Sequence, residues 1–462
     1  MKFALYFGNR GFFPGELIAE ARKELMDVLD SCGYAYIAME ENATKFGAVE
    51  TAADGEKYAA FLKENEGEFD GVILCLPNFG DENGAVAALR RANVPILIQA
   101  YPDEIGKMDF ASRRDAYCGK FSIMDVFYQC GIQYTAYKPH VIHPADPRFT
   151  QQLHDFAALC RTVKAMRSFK VGAIGARTTA FKTVRYDELT LERYGITVEA
   201  LDLSDLFIRI KNMSDASRLE KKVAGLKAYS NFGKVPADKI EILAKMSLAI
   251  DDIIAQYRLD CIALRCWNEL QMEYGIAPCV LLSELNDRGI AAACELDICN
   301  AIPMYALAQA SGNAATCLDW NNNYGGDENK CILFHCGPVP QSLMKGKGEV
   351  TSHKMFDKSY GAGCGVGTNE GRIDAFPFTF ASAKTENGKL YTYVGRGEFT
   401  KDEIEKEFFG CGGVARIDDL QNILYYIGKN GYRHHVGLTK GDVFAAITEA
   451  FENYLGYEIK KF

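Results

Sequence analysis

The sequence contains no apolar run near the roughly 20 residues that a helix needs to cross a bilayer, which predicts a chain with no membrane segment. It has no excess of basic residues either. With 52 Lys+Arg against 61 Asp+Glu the net charge is −9, which speaks against a nucleic-acid or anionic-membrane partner. No C-x-x-C occurs among the 15 cysteines, so a cysteine-built zinc site is not expected. The odd count, and positions inside apolar stretches such as GVILCLP and LDCIALRC, predict reduced thiols in a cytoplasmic protein rather than a disulfide framework. A glycine fingerprint G-x-G-x-x-G is missing too: VGAIGAR at 171–177 lacks the spacing a dinucleotide site requires. Repeats, heptads and low-complexity linkers are absent. The basic start of MKFALYF is cut short by glycine and charge, so it reads as a first strand rather than a secretory leader.

What remains is a globular composition, 48% hydrophobic and 24% charged, in a chain long enough for several domains. Residues 1–168 alternate short apolar runs (FALYF, YAYIAM, GVILCLP, VPILIQAYP) with helical stretches, the pattern of a Rossmann-like parallel sheet covered by helices. The pattern restarts at FKVGAIGA, predicting a second Rossmann-like open-sheet domain over 169–312. From 313 to 462 the texture is β-rich, with Glu386-Asn387-Gly388 as a hairpin turn between FPFTFASA and KLYTYVGRGEF. The glycine cluster at 359–372 reads as a mobile loop.

Chemistry concentrates in 293–338. Glu295 and Asp297 follow the strand AAAC, Asp319 follows ATCL, and His335 follows CILF, placing metal-competent side chains at the ends of three apolar strands. The same acids equally suit helix caps or turns. Near the end, His434 and His435 are adjacent, so on a strand they point to opposite faces and one of them at most serves a given site. Arg265 and Trp267 follow the strand CIALR, and Arg10 and Asn78 sit on early strand-to-helix loops. These are candidate ligand contacts, weighed against ordinary surface and packing roles. Arg177, Lys182 and Arg185 form a basic group suited to an anionic ligand or to a solvated helix face.

Taken in order, C-E-L-D, L-D-W-N-N-N, F-H-C-G and H-H-V-G resemble the L-fucose isomerase and L-arabinose isomerase superfamily, particularly its shorter fucose-isomerase-like branch. GNRGFFPGEL, LPNFGDEN, GARTTAF and RCWNEL are placed as in that branch, and residues 340–430 carry the least of the likeness. The resemblance implies two Rossmann-like domains followed by a barrel-like C-terminal domain. It implies aldose–ketose isomerisation through an enediol, with Mn2+ (or Co2+ or Mg2+) as cofactor. It also implies a homo-oligomer, a hexamer or a trimer-based assembly, with sites at subunit interfaces. Carried over, Glu295 and Asp319 are metal-binding acid/base carboxylates and His435, in preference to His434, the imidazole ligand. His335 matches a ligand of the arabinose branch, and Asp297 becomes a supporting residue or cap. The expected substrate is a fucose- or arabinose-like sugar or an anionic, for example sulfonated, hexose. An epimerase or lyase using the same enediolate, and a non-catalytic sugar-binding module, are the competing readings.

Overall fold

The computed structural model describes all residues from Met1 to Phe462. The chain forms two compact units, Met1–Lys164 and Ala165–Phe462. In the first, β1 (Lys2–Phe7), β2 (Ala35–Ala38), β3 (Gly71–Leu76) and β4 (Ile96–Ala100) make a parallel sheet in the order β2-β1-β3-β4. Every residue of β3 is buried, as expected of a central strand covered on both faces. The helix Leu17–Ser31 turns Ile18, Leu25 and Leu29 inward, which is why 15–31 is legible as amphipathic.

The second unit opens with another parallel sheet: β5 (Phe169–Ile174), β6 (Ile196–Leu201), β7 (Cys261–Leu264) and β8 (Ala292–Cys294), ordered β6-β5-β7-β8. Nine further strands follow: β9 (Ala315–Tyr324), β10 (Asp327–His335), β11 (Glu349–Ser352), β12 (Val366–Arg372), β13 (Pro377–Glu386), β14 (Lys389–Phe399), β15 (Cys411–Arg416), β16 (His435–Lys440) and β17 (Glu458–Lys461). They form one sheet, and a pairing between β14 and β15 closes β15-β10-β9-β16-β13-β14 into a six-stranded barrel. Closure removes the sheet edges that would otherwise be exposed along these strands. The mixed α/β architecture, with two parallel sheets and a six-stranded barrel in the C-terminal region, agrees with the sequence reading at that level.

The expected hairpin is present. Glu386 pairs with Lys389, and Asn387 and Gly388 between them are both left-handed, at φ 50° and 74°, the backbone a two-residue turn needs. The glycine-rich segment is less loop-like than expected, because residues 354–360 are helical and 366–372 form β12. Gly367 explains why glycine is needed there without a loop: at φ 131°, a Cβ would lie 2.0 Å from the Ala277 carbonyl oxygen. Between the parallel sheet and the barrel runs the helix Ile298–Ser311, buried along nearly its whole length and apolar all round. Its start and the strand ends beside it carry the chemistry.

Candidate metal centre

Three strand ends converge. β8 delivers Glu295 through a tight turn in which Glu295 and Leu296 both adopt φ 60°. Non-glycine residues held there cost about 1–2 kcal/mol each, a strain tolerated mainly where function fixes the backbone. Asp297 ends the turn and caps the following helix through Asn300 N–H at 3.2 Å. The antiparallel register of β9 and β16 sets Asp319 directly opposite His435, so both side chains leave the same face at close range.

At the centre stands His435, its side chain 1% exposed. Its Nδ1–H donates to Asp297 Oδ2 at 2.8 Å, which turns Nε2 toward Glu295 and Asp319. Glu295 Oε2 lies 2.8 Å and Asp319 Oδ1 3.4 Å from that nitrogen. Despite these distances, His435 Nε2 and Asp319 Oδ1 are sealed from solvent with no aligned hydrogen bond. Burial alone would make such orphaned polar atoms expensive. Asp297 is in turn paired with the fully buried Arg433.

The electrostatics separate the two carboxyls. Burial pushes the Asp319 carboxyl above its ordinary range. At Glu295 burial acts the same way, but the adjacent His435 outweighs it and holds the carboxyl low. Burial opposes charge on His435, yet Cys317, Asp297 and Glu295 together raise it well above the usual histidine value. Two oxygens and an imidazole nitrogen, two of those atoms lacking partners, fit a hard or borderline divalent cation. Asp319, His434 and His435 also bring ligand atoms within 4.8 Å of one another, as do Cys317, His335 and His435.

The two adjacent histidines behave differently from strict strand alternation. β16 begins at His435, and although the His434 carbonyl still accepts the Trp320 N–H at 2.9 Å, the His434 ring reaches back to 3.8 Å from Asp319 Oδ1 with 43% of its side chain exposed. His335 is buried with its ring 5.8 Å from that of His435. Its Nδ1 accepts the Cys336 N–H at 2.9 Å, while its Nε2, like that of His435, is buried without a partner.

A cavity of about 280 Å³ opens beside this centre, walled by Glu295, Asp319, His335, Trp267, His353 and Phe356 among others. Trp267 is thus where a sugar platform is expected. Arg265 is not: its guanidinium is paired with Glu269 and donates to the Ala176 carbonyl. Arg10 and Asn78 belong to the first unit, where the Arg10 N–H meets Asn78 Oδ1 at 3.3 Å and its side chain pairs with Glu82. Arg177 and Arg185 donate to backbone carbonyls, of Thr178 and Gly431 respectively. His353, Phe356 and Arg433 are the residues that sequence reasoning missed. Only Arg433 left a signal, lying two positions before His435.

The family model for the fucose/sulfoquinovose isomerase N-terminal domain matches residues 4–167, and that for the L-fucose isomerase C-terminal domain matches 333–462. A sulfoquinovose isomerase of Priestia aryabhattai is 24% identical over 315 residues, 66% of this chain and 68% of that protein. Another from Alkalicoccus urumqiensis is 23% identical over 394 residues, 84% of this chain and 86% of that one.

Proposed function

Because the chain belongs to the fucose/sulfoquinovose isomerase family and is an aldose–ketose isomerase, we propose that it interconverts a sulfonated hexose and its ketose through a cis-enediol, at a divalent-metal site formed by Glu295, Asp319 and His435. The observation that carries this reading is the sealed pair of partnerless atoms, Asp319 Oδ1 and His435 Nε2, with Glu295 Oε2 beside them. Manganese is the metal we favour, with cobalt or magnesium as substitutes. Such a cation supplies Lewis-acid polarisation of the carbonyl and the neighbouring hydroxyl of an open-chain sugar.

The protein's own groups divide the remaining work. Glu295, held ionised, takes the proton from C2 and returns it to C1. Asp319, which lines the same cavity, exchanges the hydroxyl proton. Asp297 fixes the His435 ring so that Nε2 faces the site. Trp267 and Phe356 offer apolar faces to the sugar ring carbons. The cavity walls contain no lysine or arginine, so the sulfonate needs a cation from beyond them. We assign that role to Arg10 of a neighbouring copy in a homo-oligomer; Asn78 is fully buried and holds the Arg10 backbone N–H instead.

The test is turnover by the purified protein of sulfoquinovose, fucose and arabinose, followed by NMR in D2O. A single ketose of unchanged carbon count, carrying deuterium from solvent, is expected with the sulfonated sugar; a cleaved product or a C2 epimer would refute isomerisation. EDTA should abolish turnover and Mn2+ restore it. Glu295→Gln should bind metal yet lose on the order of 100- to 10,000-fold in turnover. Full activity after verified metal removal would end the metal-dependent reading.

A further inference from the structure

We propose that Cys336 and Cys279 are a peroxide-oxidisable thiol pair in the cavity wall, and that their closure to a disulfide stops turnover. Their sulfurs lie 3.9 Å apart and both residues line the cavity. The surrounding backbone is close as well: a Cβ at Gly337 would come within 3.0 Å of the Cys279 Cβ. Cys294 also reaches Cys336 but is shared with Cys266, so it is the rival that peptide mapping must separate from Cys279; two further thiols are engaged elsewhere. Cys411 Sγ donates to the Asn369 carbonyl at 2.7 Å and Cys364 Sγ to the Tyr360 carbonyl at 3.2 Å. All 15 cysteines are free, and of this pair Cys336 is the more exposed.

The chemistry balances with a hydroperoxide as oxidant. Cys336 Sγ attacks the peroxide oxygen, breaking the O–O bond and releasing water or an alcohol, and becomes a sulfenic acid. Cys279 Sγ then displaces that hydroxyl, which leaves as water with the Cys279 thiol proton, and the S–S bond forms. The two sulfurs must approach by about 2 Å to reach disulfide length. That movement draws the end of β10 toward the first turn of the helix Cys279–Asp287 and pulls on the Cys336 N–H that holds His335. A displacement of about 1 Å at such a site costs on the order of 100-fold in rate. The bridge is independent of the isomerase reading; its effect on turnover rests on it.

The experiment treats the metal-loaded full chain with one equivalent of hydrogen peroxide, alkylates free thiols, and maps peptides without reduction. The expected result is a linked Cys279–Cys336 peptide pair, lighter by two hydrogens, together with a loss of activity of about 100-fold that dithiothreitol reverses. In Cys279→Ser no bridge forms, and dimedone traps a sulfenic acid on Cys336. A bridge from Cys336 to a different cysteine, or its oxidation to a sulfinic acid with no bridge in the unmodified sequence, would overturn the pairing. Bridged protein that turns over at the untreated rate would overturn the inactivation.

Discussion

Replacing Asp297 by Asn tests whether the site's geometry is set by its supporting residues. Asp297 is fully buried and, besides the Asn300 N–H it caps, meets the His435 Nδ1–H at 2.8 Å and the Arg433 guanidinium, whose side chain is 1% exposed. Burial disfavours charge on the carboxyl, but Arg433 and His435 outweigh it and hold the group below its usual range. With no solvent to screen the pair, removing the negative partner strands a buried cation, at a cost of about 3–5 kcal/mol in unfolding free energy. The loss at His435 is separate: a metal-ligating imidazole deprived of its carboxylate typically forfeits 10- to 100-fold in metal affinity, or about 1.4–2.8 kcal/mol. Urea denaturation reads the first and calorimetric Mn2+ titration the second. Asp297→Asn combined with Arg433→Met should recover most of the stability and none of the affinity. Because the folded carboxyl is held low, its contribution is present above the ordinary aspartate value near 4 and is lost as pH falls through the folded value. The stability gap between the parent and the single variant therefore narrows in acid. Metal affinity unchanged within twofold in Asp297→Asn would refute the orienting role.

Lys120 is 2% exposed, and burial lowers its ammonium from 10.5 to about 8. The folded state carries a charge penalty that is full below pH 8 and relieved as pH rises toward 10.5, so Lys120→Met should stabilise the first unit by up to about 3 kcal/mol at pH 7, with the gain vanishing near pH 10.5 in urea titrations. Gly367→Ala should lower stability by at least about 2 kcal/mol, since φ 131° and the Ala277 carbonyl both oppose a side chain. Gly326→Ala, with nothing within 4 Å of the added carbon, is the matched control and should leave the unfolding midpoint almost unmoved.

Periodicity and turn chemistry carried most of the fold. The runs FALYF, GVILCLP and FKVGAIGA are strands because their residues are buried on both faces, and local composition is enough to reveal that. Asn387-Gly388 was equally legible, since its backbone demands those two residues. Barrel closure was not, because the β14–β15 pairing joins strands through contacts that no local pattern encodes. At the site, Glu295 and Asp319 could be picked out as acids at strand ends, while their shared approach to one nitrogen depends on the register of β9 against β16. His353 was invisible for a related reason: it meets the cavity only because β11 and the helix Lys354–Tyr360 fold over it.

The histidine pair shows where a local rule stops. Alternation assigns His434 and His435 to opposite faces, and it holds only while both residues sit in the ladder. Here His434 lies at the end of the ladder, held only through its carbonyl, and the two rings lie 4.5 Å apart with both within reach of Asp319. What singles out His435 is therefore not the face it occupies but the company it keeps. Its Nδ1 is tied to a buried carboxylate that is itself neutralised by Arg433, whereas His434 is half exposed, and burial together with the charge on His435 lowers its proton affinity. An imidazole with one nitrogen anchored and the other partnerless has given up rotational freedom that a surface histidine keeps, and it can hold a cation without first having to be ordered.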